Sequence, residues 1–263
     1  MFIHHLQMND HPFTENPPLE WLLFDQRFEQ ALARLKFFQQ QGRLALILGQ
    51  TGIGKSSLLR IFTKQLPPNK YTPLFFFLTN VSANAFLRMI VSRLGEAPRL
   101  GKDRLFLQII ERIRNNETDT LLIIDEAHLI PSQTLTDLRL LVSAGFDANL
   151  PIKIILSAQE SISATLKRSV HADLVNRISV RFSLTAFDKT QTLAYIDHRL
   201  KCAGSSTKVF DAEAKELIHD YAGGVPRLIN NIATACLIHA SSKNLKKISE
   251  PLVNETMSEF RLP

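Results

Sequence analysis

The chain has 263 residues, 45% hydrophobic and 21% charged, enough for a sizeable core and too apolar for extended disorder. Lys plus Arg total 31 against 25 acids, a net +6 with a pI near 9.4, which permits a polyanionic partner without requiring one. No run reaches about 18 apolar residues, Met1 to Asp10 lacks a basic-then-apolar signal, and Cys202 and Cys236 make neither a disulfide framework nor a zinc spacing. A reduced, cytoplasmic setting without a membrane partner is therefore expected.

The Pro-rich stretch His11 to Leu23 reads as extended. A helix follows from Gln26 to Gln41, with Phe28, Ala31, Leu32 and Leu35 on one face. Arg43 to Leu48, Pro73 to Leu78, Thr120 to Ile124 and Ile152 to Leu156 are short apolar runs of the kind that form buried parallel strands. Ile178 to Leu184 alternates and suits a sheet edge. Helical patterns fill the gaps at Lys55–Gln65, Ala83–Leu94, Asp103–Asn115 and Ser132–Ser143. This alternation implies an α/β fold, a parallel sheet flanked by helices. Beyond Ala186 only helices are expected: Lys189–Lys201, Asp211–Tyr221, Pro226–Ala240 and Glu250–Phe260. The expected domains are an α/β domain with an N-terminal extension over residues 1–186 and a small helical domain over residues 187–263.

Gly49-Gln50-Thr51-Gly52-Ile53-Gly54-Lys55-Ser56 fits the phosphate-binding pattern G-x-x-x-x-G-K-[ST], with a strand before it and a helix after it. Glycines let the backbone N–H groups face phosphates, and the helix N-terminus adds a positive dipole end. Lys55 would reach the β- and γ-phosphates of ATP, and Ser56 would ligate Mg²⁺. Ser57 completes the cofactor-binding set. Leu121 to Glu126 is the partner motif: an apolar strand delivers Asp125 to its carboxyl end to hold Mg²⁺, beside Glu126 to activate a water.

The loop, the Asp125-Glu-Ala-His128 sequence and Gly224-Val-Pro-Arg227 resemble the AAA+ P-loop ATPases over roughly residues 11 to 245. Within them the chain is similar to the group of ExeA-type secretion ATPases and the TniB, IstB and TnsC transposition regulators. His11-Pro-Phe13 is similar to the Pro-Phe near the start of ExeA-like proteins. The resemblance implies an ATPase with the helical domain as a lid. It implies a polar sensor after the fourth strand, with Gln159 the first choice and Ser157 the second. It implies an arginine finger from a neighbouring subunit, Arg177, with Arg181 as the alternative, and a second sensor at Arg227. His128 takes a positioning or packing role. Leu22, Leu23 and Phe24 contact adenine or pack in the core.

The stretch Arg88 to Arg114 nets +4. In transposition-type relatives the corresponding region follows a DNA backbone. The resemblance thus offers Arg88, Arg93, Arg99, Lys102 and Arg104, with Thr79 and Asn80, as duplex DNA contacts; a solvated helix face is the other reading. The expected function is a regulator of transposition that oligomerises on double-stranded DNA with ATP, as a ring or filament. Hydrolysis would disassemble it, and it would direct a transposase with a target-selection protein. The alternative is an ExeA-like ATPase of secretion or pilus assembly. Its commoner membrane segment and wall-binding domain are not seen in this sequence, which leaves the transposition reading first.

Overall fold

The computed structural model describes residues 2–77, 81–147, 150–205 and 209–260. In chain order the elements are α1 (Phe2–His5), α2 (Gln26–Gln41), β1 (Leu44–Leu48), α3 (Lys55–Lys64), β2 (Tyr71–Phe77), α4 (Ala83–Arg93) and α5 (Lys102–Arg114). Then come β3 (Asp119–Asp125), α6 (Ser132–Asp147), β4 (Ile152–Ala158), α7 (Ile162–Leu166), α8 (Ala172–Asn176) and β5 (Ile178–Ser183). Helices α9 (Lys189–Cys202), α10 (Ala212–Ala222), α11 (Pro226–Ser242) and α12 (Glu250–Phe260) complete the chain. Three short 3₁₀ turns lie at Leu19–Trp21, Ala127–Leu129 and Ser169–His171. Each long helix and each strand read from the sequence is present. The short α1, α7 and α8 are additional, because four or five residues are too few to show a helical period.

The described residues fall into two units. The α/β unit comprises Arg27–Thr51 and Lys55–Leu184. Its five strands are parallel, in the order β2-β3-β4-β1-β5. All five residues of β1 are buried, as an unbroken apolar run between two covered faces requires. On one face Leu46, Leu122, Ile124 and Leu156 pack with Phe86, Ile90, Leu105, Ile109 and Leu138. Each such side chain contributes about 1.5–3 kcal/mol of burial. The edges are marked in the sequence. Alternating burial runs along β5, and Pro73, which has no N–H to give, sits in β2.

The helical unit comprises Met1–Gln26, Gly52–Gly54 and Thr185–Pro263. Residues 1–26, expected with the α/β domain, group instead with the C-terminal helices. The reason is apolar: Phe2, Leu6, Met8 and Phe13 are buried in one cluster with Ile196, Leu200, Phe210, Ile218, Ile229 and Leu237. Arg199, 1% exposed, fixes the same segment. Its Nε donates to Pro12 O at 2.7 Å, its Nη2 to Thr14 O at 3.1 Å, and its guanidinium stands 6.0 Å from the Trp21 ring. His11–Leu23, expected to be extended, instead turns at Pro12–Phe13, bends at Glu15–Asn16 and forms the 3₁₀ turn at Leu19–Trp21. Helix α9 opens with a reciprocal cap: Asp188 Oδ1 accepts from Gln191 N, and Gln191 Oε1 accepts from Asp188 N. Gly224 (φ 70°) is obligatory, since a Cβ there would stand 2.0 Å from Phe187 O.

Candidate nucleotide-binding site

The chain leaves β1 at Leu48, turns through the glycine loop and enters α3 at Lys55. Gly52 and Gly54 take φ of 79° and 109°, conformations that L side chains rarely adopt. Lys55 is 4% exposed, and its Nζ donates to Gly49 O at 2.8 Å and to Gln50 O at 3.1 Å. The ammonium is thereby held within the loop curve. Ile53 is buried and anchors the loop; Gln50, Thr51 and Ser56 are exposed, and Ser57 is half-buried on the first turn of α3.

Parallel pairing brings the ends of β3, β4 and β1 side by side. Asp125, the last residue of β3, is 4% exposed. Its Oδ2 accepts from Ser56 Oγ at 2.7 Å, joining residues 69 positions apart. Its Oδ1 accepts from Ser157 Oγ at 2.7 Å and from Glu126 N at 3.0 Å. A hydroxyl and a carboxylate oxygen in contact are hard oxygen donors, a pair that fits Mg²⁺. Curling glycine backbone and a buried lysine at a helix start fit a polyphosphate.

Glu126 sits in the left-handed region, φ 54° and ψ 35°, and opens the 3₁₀ turn Ala127–Leu129. A non-glycine residue held there is strained, and such strain gathers at functional sites. The Glu126 side chain is 36% exposed. His128 Nε2 lies 3.6 Å from Glu126 Oε2, and His128 Nδ1 accepts from Gln159 N at 3.4 Å. Gln159 Nε2 donates to Thr51 Oγ1 at 2.8 Å. The two sensor choices thus divide: Ser157 touches Asp125, and Gln159 touches the loop. The contact from Gln159 to His128 carries no sequence signal, because it runs through a backbone N–H.

Arg177, half-buried, follows α8 and directly precedes β5. Ile178 pairs with Leu44, at the amino end of β1, whereas the loop leaves its carboxyl end. Arg177 is therefore separated from the loop by the length of β1, about 16 Å. Arg181 is exposed within β5. In the helical unit Arg227 N donates to Gly52 O at 3.2 Å, and a Cβ on Gly52 would stand 2.6 Å from Arg227 Cβ. Leu22 and Leu23 are half-buried, and Phe24 is 50% exposed.

Arg88, Arg93, Arg99 and Arg104 are exposed on and between α4 and α5. Lys102 is engaged, its Nζ 2.7 Å from Asp137 Oδ1, which makes it a pin between α5 and α6. Thr79 and Asn80 lie outside the described residues. No helix among the described residues is long and apolar enough to cross a membrane.

A family profile described as the AAA domain matches residues 39–166. General secretion pathway protein A of Aeromonas hydrophila is 28% identical over 257 residues, 94% of this chain and 46% of that protein. The chain thus spans about half the length of this curated relative. Among solved structures, Cdc6p from Pyrobaculum aerophilum superposes with a TM-score of 0.74 at 17% identity, covering 94% of this chain and 70% of that one. The Aeropyrum pernix ORC1 protein in complex with DNA gives a TM-score of 0.71 at 14% identity, covering 95% and 68%. Residues 39–166, just under half of the chain, thus match the AAA-domain profile, and the chain shares the P-loop fold of these solved structures.

Proposed function

We propose that the chain is a Mg²⁺-dependent ATPase that binds ATP on the Gly49–Ser57 loop and hydrolyses it to ADP and phosphate. The observation that carries this reading is the 2.7 Å contact of Ser56 with Asp125, which sets the end of β3 against the start of α3. Ser56 and Asp125 would hold the cation, which would supply positive charge to offset that of the phosphates. Lys55 exchanges its carbonyl partners for phosphate oxygens. Glu126, partly exposed beside Asp125, accepts the proton of the attacking water. Gln159 and Arg227 respond to the terminal phosphate. Arg177 acts in a second copy's site, a reading supported by its place at the amino end of the sheet. Glu126→Gln should retain ATP while phosphate release falls at least about 100-fold; unchanged release would remove Glu126 as the base.

For the biological task, the alignment with General secretion pathway protein A along 94% of the chain moves the secretion reading ahead of the transposition reading. The chain is then a cytoplasmic ATPase module serving secretion or pilus assembly. The second reading is favoured by the exposed Arg88, Arg93, Arg99 and Arg104. In it, ATP assembles a ring or filament on double-stranded DNA, and hydrolysis releases the DNA and directs a transposase with a target-selection protein. Anisotropy of a labelled duplex separates the two. The DNA reading expects ATP-dependent binding that weakens steeply with salt. Absence of binding at low salt with ATP and Mg²⁺ leaves the secretion reading.

A further inference from the structure

We infer that His128 is the positioning residue for Glu126, held in one tautomer by the end of β4. The inference rests on the ATPase reading and concerns the same site. The Gln159 backbone N–H can only donate, so the His128 Nδ1 it meets at 3.4 Å carries the lone pair. The neutral ring then bears its proton on Nε2, the atom that lies 3.6 Å from Glu126 Oε2. That proton then lies on the ring nitrogen nearest the carboxylate that has to receive a proton. The ring is only 8% exposed, so water does not compete freely for either nitrogen. Glu126 needs such support: its backbone is left-handed, and its side chain is 36% exposed whereas Asp125 is buried. The same Gln159 donates its side-chain amide to Thr51 Oγ1 at 2.8 Å. Four residues, Thr51, Gln159, His128 and Glu126, therefore form one chain of contacts from the phosphate loop to the base. Through it, what happens at the loop bears on where the base points.

Two measurements test this. In the nucleotide-free protein, ¹⁵N-histidine NMR should show His128 with a bare Nδ1 and a protonated Nε2; the opposite tautomer would overturn the inference. In kinetics, His128→Ala should lower kcat about tenfold with ATP affinity unchanged, a smaller loss than Glu126→Gln. His128→Gln, which puts an amide N–H near the Nε2 position, should recover most of kcat, and His128→Asn should not. In a Glu126→Gln background His128→Ala should cost nothing more, as for residues that act as a unit. A further loss there, or full activity in His128→Ala, removes the positioning role while leaving the ATPase intact. Lack of turnover in the wild-type chain would instead strike the ATPase reading itself, and the tautomer would still decide the geometry.

Discussion

At Asp125 three donors converge on one buried carboxylate, and each comes from a different part of the α/β unit: Ser56 from α3, Ser157 from β4, Glu126 N from the turn after β3. The carboxylate itself and one of its three donors were readable. The loop motif names Ser56 and the acidic strand tip names Asp125, because both motifs fix chemistry at a set spacing. Ser157 stood second to Gln159, since sequence alone cannot say which of two polar residues leaving a strand turns inward. Arg177 carries a prediction of its own. If it completes a neighbour's site, Arg177→Ala should bind ATP normally and turn over about 10³-fold more slowly. Mixing it with Lys55→Ala, which keeps the arginine but not the phosphate grip, should restore activity. Normal turnover by Arg177→Ala, or no recovery in the mixture, would contradict action across an interface.

The elements obey simple rules, and those rules also decide which of them could be found. β1 and the Leu121–Ile124 stretch of β3 are unbroken apolar runs because both faces of the sheet are covered, and such runs stand out. α9 begins where Asp188 and Gln191 can cap each other. By contrast, nothing in Phe2 to Met8 announced that it would be buried with α10 and α11. Its apolar residues needed a partner that only tertiary structure supplies. Arg199 is the same case, a cation on the buried stripe of α9 that is satisfied by carbonyls of a segment 187 residues away. Two predictions belong here. Gly224→Ala forces a Cβ against Phe187 O and should lower stability by more than about 1 kcal/mol, read from the urea midpoint; an unchanged midpoint would refute the close approach. Cys236 lies fully buried in the helical core, its thiol pushed up to about 11 by burial. The thiolate is the reactive form, so at pH 8 alkylation of Cys236 should wait for unfolding. Rapid labelling in the folded protein would show that the helical cluster opens.

For the whole molecule, the fold class was legible from the alternation of strands and helices, and the P-loop fold from a resemblance carried by the loop, Asp125–His128 and Gly224–Arg227. The division into units was harder. The N-terminal segment joins the helices, and three glycine-loop residues group with them as well. The task served by the chain was not legible from a phosphate-binding loop and an acidic strand tip, which serve many tasks. A long alignment with a secretion protein supports one task, and four exposed arginines support another. Both depend on the same event, a nucleoside triphosphate held at the loop with a cation between Ser56 and Asp125. Calorimetric titration of the purified chain with ATP measures that event. The account predicts saturable binding at one site per chain, weaker without Mg²⁺ or in Asp125→Ala and lost in Lys55→Ala. An absence of binding, or equal binding by Lys55→Ala, would contradict it.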